Sequence, residues 1–143
     1  MPEEYGKIYQ IARQSAGYTQ EKAAELIDVS VESIRAYEST RRPPDNVVVR
    51  MIEVYGTPHL AYQHLKSSEL GQRYIPKLEI RDLPTALLRL QKEATEAIKL
   101  RDDLIGMACD GVITEAERPH WDAILEELDD VSEAIMALKF AHK

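Results

Sequence analysis

Apolar positions recur at three- and four-residue steps through most of the chain, and only Tyr74 to Arg81 shows a loose period-two alternation, carried by Ile75, Leu78 and Ile80. The pattern predicts an all-α protein. In the first helix Tyr5, Ile8, Ala12 and Ser15 share a face with Ile11 beside them, and Gly17 stops it. Thr19 is placed to cap a short second helix, Gln20 to Ile27, with Ala23, Ala24 and Ile27 inward. Asp28 to Ser30 makes a tight break. Ser30 then caps a third helix from Val31 to about Glu38, with Ile34 and Tyr37 inward. Arg41-Arg42-Pro43-Pro44 cannot be helix interior, but the prolines and Asp45 suit the opening of a fourth helix that runs to about Tyr55. Gly56 ends that helix, and Pro58 opens a fifth through about Leu65. These five helices assign a first domain to residues 1–68, followed by a loose connection over 69–82.

From Leu83 the periodicity lengthens. Leu87, Leu90, Ala94, Ala97 with Ile98, Leu104 with Ile105, and Ala108 form one stripe, interrupted at Arg101. Trp121, Ile124 with Leu125, Leu128, Val131, Ile135 and Leu138 form another. The first segment is expected to reach about Cys109 and the second to run from about Glu115 to His142, around an Asp110-Gly111 turn. Two such helices fold back as an antiparallel hairpin over 83–143. Leu83, Leu88, Leu100, Met107, Met136 and Phe140 lie partly off the stripes. That excess needs a further partner: the five-helix domain could cover it in a monomer, but pairing of two hairpins into a four-helix bundle is favoured, so a homodimer formed through the hairpin is expected.

Composition narrows the class. With 44% hydrophobic and 30% charged residues the chain is globular. Its opening, MPEEYGKIYQ, lacks the basic and apolar run of a secretory signal, and no stretch approaches a membrane span, so an intracellular, cytoplasmic protein is expected. The net charge of −7 is unevenly divided: residues 1–66 hold 8 Lys+Arg against 9 Asp+Glu, and residues 67–143 hold 10 against 16. Any surface for a polyanion must therefore be local and lie in the first half.

The second and third helices, joined by three residues, have the arrangement in which one helix crosses a DNA backbone while the next enters the major groove. Since Ile34 and Tyr37 point inward, Ser30, Val31, Glu32, Ser33, Arg35 and Ala36 are the candidates for base contact. Arg35 suits guanine, Glu32 a cytosine amino group and Val31 a thymine methyl. The plainer reading of Glu32 and Arg35 is a solvated pair at i and i+3. Arg41 and Arg42, in a loop stiffened by proline, suit phosphates.

Thr19-Gln20-Glu21-Lys22-Ala23-Ala24-Glu25-Leu26-Ile27, Val29-Ser30, Ser33-Ile34 and Tyr37-Glu38 together resemble the lambda-repressor and Cro-like helix-turn-helix family, the XRE family, over roughly Ile8 to Tyr55. The resemblance implies that Ala24 is the small residue at the helix crossing. It further implies that Gln20 touches a phosphate and braces the recognition helix, and that Arg13 and Glu38 form a salt bridge between the first and third helices. Asp28 and Thr40 stand where the family commonly has glycine. The function implied is that of a phage or mobile-element type repressor, a dimer covering a pseudo-palindromic operator in double-stranded DNA. Two alternatives remain open: an antitoxin whose second half holds a partner protein, and an adaptor using the helix-turn-helix as scaffold.

Other chemistry is present only in outline. Asp110 to Glu117 resembles the second half of a calcium loop, but Gly106 and Ala108 occupy the positions of its early ligands. Thr114 and Glu117 instead have capping-box spacing. His59, His64, His120 and His142 include no i, i+4 pair, and Cys109 reads as a small buried residue. Neither a metal, a cofactor nor catalysis is expected.

Overall fold

The computed structural model describes residues 6–141, so Tyr5 and His142 lie outside it. The chain divides into two compact units, Met1–Ile75 and Pro76–Lys143. Every regular element among the described residues is helical.

The first unit contains α1 (Lys7–Ser15), α2 (Gln20–Ile27), α3 (Val31–Tyr37), α4 (Asp45–Tyr55), α5 (His59–Lys66) and α6 (Glu69–Tyr74). Short polar side chains set the helix starts. Thr19 Oγ1 accepts from Lys22 N at 3.1 Å to open α2, and Ser30 Oγ accepts from Ser33 N at 3.0 Å to open α3. Between them Asp28 takes the left-handed conformation, φ 60° and ψ 55°, that the tight turn requires and that Asp tolerates. Ala23, Ala24, Ile27, Ile34 and Tyr37 are buried with Val47, Val48, Met51, Tyr55 and Leu60 in one core. Thr40 needs no glycine-like backbone: the amides of Ser39, Thr40 and Arg41 all turn back to the Ala36 carbonyl.

Two local expectations change in this unit. The buried face of α1 is Tyr9, Ala12 and Arg13, while Ile11 and Ser15 are exposed. The polar ends of Tyr9 and Arg13 find partners inside, which lets these side chains occupy the core without stranding a donor. The expected loose connection begins instead with α6, opened by Ser68 Oγ accepting from Gly71 N at 2.9 Å. Gly71 rests directly on the end of α5, where a side chain would run into the Leu65 carbonyl. Lys66 Nζ closes α6 by donating to the carbonyls of Gly71, Gln72 and Ile75.

A buried histidine ties three helices together. His64 on α5 bonds the Tyr9 hydroxyl through Nδ1 at 2.6 Å and the Asp45 carboxylate through Nε2 at 2.9 Å. Burial outweighs the Asp45 hydrogen bond and lowers the His64 pKa from its ordinary 6.5. The unfolded chain therefore binds the proton more readily than the folded one. The stabilisation is complete above about pH 6.5 and is lost as the pH falls from there toward the depressed folded value. Thermal melts from about pH 7.5 to about pH 5, a range that brackets the ordinary histidine value, are expected to show falling stability, with a flatter profile for His64→Asn. Equal slopes for the two proteins would refute the linkage.

The second unit comprises α7 (Leu83–Lys99), α8 (Arg101–Ala108) and α9 (Arg118–Lys139). Asp82 caps α7 by accepting from Thr85 N at 2.9 Å, which lowers its pKa. The first long segment is broken at Leu100, which ends α7 and begins α8, so the Arg101 interruption of the stripe coincides with a break in the helix. Gly111 turns the chain with φ 80°. Thr114 and Glu117 form the expected reciprocal capping pair, with Thr114 N to Glu117 Oε2 at 2.9 Å and Glu117 N to Thr114 Oγ1 at 3.3 Å. Cys109 is exposed, contrary to expectation, because it lies at the open end of α8.

The surface joining α7 to α9 also differs from the stripes. Its buried positions are mostly small: Ala86, Ala134 and Ala137, with Ile124 and the carboxylate-bearing Glu93. Arg89 crosses it to bind Glu133 through two hydrogen bonds of 2.8 and 2.5 Å. Alanines allow close helix approach, and that approach turns Leu87, Ile98, Leu125 and Ile135 out to the side, where they are exposed.

Candidate nucleic-acid interface

The surface offered by α3 is built from behind. Arg13 on α1 grips Glu38 at the end of α3, with Nε to Oε1 at 2.6 Å and Nη2 to Oε2 at 3.0 Å. Both side chains are more than nine-tenths buried. Arg13 Nη1 also donates to the Tyr18 carbonyl at 2.8 Å, fixing the strap between α1 and α2. The paired carboxylate raises the Arg13 pKa. Tyr55, nearby, is held neutral with its pKa raised, first by burial and then by the Glu38 charge.

Gln20, the first residue of α2, extends this network to the outer surface. Its Nε2 donates to Glu38 Oε2 at 2.9 Å, and its Oε1 accepts from Arg35 Nε at 3.4 Å. One amide therefore spans α2 and both ends of the charge system on α3. Arg35 also lies 3.7 Å from Glu21, and it is this residue on α2, not Glu32 on the same helix, that it pairs with. The i, i+3 reading of Glu32 with Arg35 is thereby corrected: the short α3 leaves Arg35 closer to the start of α2. Nothing in the sequence marks Glu21 for this position, because only the crossing of the two helices brings it to Arg35.

Glu32 and Arg35 are exposed, Val31, Ser33 and Ala36 are partly covered, and Val31 packs against the core edge. Ser30 is exposed but is committed to the cap, accepting from Ser33 N and donating to Ser33 Oγ at 2.9 Å. Arg41 lies with its guanidinium 4.8 Å above the Tyr37 ring. Arg42, also exposed, donates to the His64 carbonyl at 2.9 Å and to Ser67 Oγ at 2.8 Å at the end of α5. The two adjacent arginines thus have different surroundings, although the sequence offers no reason to separate them. The pairing of His64 with Asp45 is equally hidden from spacing, and the one available signal is the placement of His64 four residues after Leu60 on the apolar face of its helix.

Residues 10–65 match the model of a family described as a helix-turn-helix domain. No curated protein and no solved structure matches the chain significantly. The matched segment contains α2, the Asp28 turn, α3 and the network behind them. The N-terminal unit therefore carries a helix-turn-helix domain, the kind of module with which regulators bind DNA. No described helix is long and apolar enough to cross a membrane.

Proposed function

We propose that the protein is a sequence-specific transcriptional regulator of the lambda-repressor and Cro-like type, which represses by occupying a pseudo-palindromic operator as a dimer joined through its C-terminal half. The observation that carries this reading is the doubly held α3: its end is fixed by the buried Arg13–Glu38 pair and its outward side is tied to α2 through Gln20. A helix held in this way presents its outward residues in one geometry, which discrimination between bases requires. Arg35 reads a base edge, exchanging its contacts with Gln20 and Glu21 for guanine. Ser30, Val31, Glu32, Ser33 and Ala36 supply the rest of the groove-facing surface, and Gln20 and Arg41 contact phosphates.

Replacing Arg35 with alanine is expected to relax the preference at one operator position at a cost of about 1 to 3 kcal/mol. Arg41→Ala is expected to weaken every sequence alike and to reduce the salt dependence of binding by about one counterion. Operator selection from random duplexes, followed by affinities against single-base variants and a salt series, separates the two effects. Indistinguishable profiles for the two variants would overturn the assignment, and absence of sequence preference in the parent protein would overturn the regulator reading.

A further inference from the structure

The geometry points to one side of the C-terminal hairpin, the side bearing Leu87, Ile98, Leu125 and Ile135, as the surface on which a second copy of this chain docks; this rests on the dimer reading above and assigns it a face. On α7, successive residues turn by about 100°. Leu83, Leu87, Leu90, Ala94 and Ile98 then fall in a single arc, displaced by roughly a quarter of a turn from the arc of Ala86 and Glu93 that meets α9. On α9, Trp121, Leu125, Leu128 and Ile135 are displaced from the buried arc by roughly a third of a turn, in the same sense. Because the two helices run antiparallel, displacements in the same sense bring both arcs to the same side of the hairpin. The result is one apolar face rather than two unrelated stripes.

Its size and charge indicate the occupant. Leu83, Leu87, Ile98, Leu125 and Ile135 are between 40% and 72% exposed. Together they present roughly 500 Å² of apolar surface, near the upper range for a monomer and a large part of the ~800 Å² that each partner contributes to a standard interface. The partly covered Leu90, Ala94, Trp121 and Leu128 extend it. From Leu83 to Ile98 and from Trp121 to Ile135 no charged residue falls in these arcs, although residues 67–143 hold 10 Lys+Arg against 16 Asp+Glu. Two copies of so acidic a half repel one another over most orientations. An uncharged face is where they can meet about a two-fold axis without burying an unpaired carboxylate. A basic protein partner would instead be recognised through the acidic positions that this face lacks.

Light scattering and sedimentation of the full chain, with melts to confirm folding, test the assignment. The parent is expected to have twice the 16.3 kDa chain mass. Leu87→Glu and Ile98→Glu are each expected to weaken self-association by about tenfold or more, since each places a carboxylate in an apolar contact. Leu88→Glu is the control, because Leu88 is comparably exposed on the same helix but lies outside the arc. A parent that dimerises unchanged in Leu87→Glu and Ile98→Glu, or that is weakened as much by Leu88→Glu, would overturn the face and leave the dimer reading standing. A parent monomeric at micromolar concentration would overturn both.

Discussion

Glu38→Ala is expected to destabilise the N-terminal unit by about 3 to 5 kcal/mol, because it leaves Arg13 charged, buried and deprived of its bidentate partner. Gln20 loses its anchor in the same substitution. Removing Arg13 together with Glu38 is expected to cost less than the sum of the two single changes, since no uncompensated charge then remains. The aromatic residues allow the effect to be localised: all 7 tyrosines lie in Met1–Ile75 and the one tryptophan, Trp121, lies in Pro76–Lys143. Urea unfolding followed by the near-ultraviolet tyrosine signal is therefore expected to shift while Trp121 fluorescence reports an unchanged second unit. Additive single and double variants would refute the coupling.

The second large effect concerns Gly6, which packs at the far end of α3. A Cβ at this position would overlap the Glu38 carbonyl oxygen and lie 2.8 Å from Ser39 N, both of them backbone atoms that cannot swing aside. Gly6→Ala is expected to cost about 1 to 3 kcal/mol, more than the loss of backbone freedom in glycine would return. The displacement also falls on the segment carrying Glu38, so on the proposed function DNA affinity is expected to fall even at temperatures where the variant is folded. A Gly6→Ala variant with the parental midpoint and affinity would show that the N-terminal end of α1 does not press on α3.

The helix-turn-helix was legible because its signals are local. Thr19 and Ser30 mark the helix starts, Asp28 tolerates the left-handed turn, and Ala23, Ala24, Ile27, Ile34 and Tyr37 repeat at helical spacing. Such features depend on neighbours within a few residues, so sequence order nearly specifies them. Arg13 with Glu38 was accessible through resemblance, not through spacing. Arg42 shows the limit: beside Arg41 in sequence, it is drawn to the end of a helix more than twenty residues onward.

The sequence by itself determined the all-helical class, the capped pair of short helices, the turn between them and the acidic bias of the second half, each a matter of local backbone preference or composition. Tertiary structure decided which side chains face which. It joined Tyr9, His64 and Asp45 from three helices, brought Glu21 to Arg35, and rotated α1 so that Tyr9 and Arg13 displaced Ile11 from the core. In the hairpin, periodicity indicated a broad apolar arc but not how it would be divided. Close packing through Ala86, Ala134 and Ala137 decided that, because the smallest side chains allow the nearest helix approach and leave the larger ones on the adjoining face.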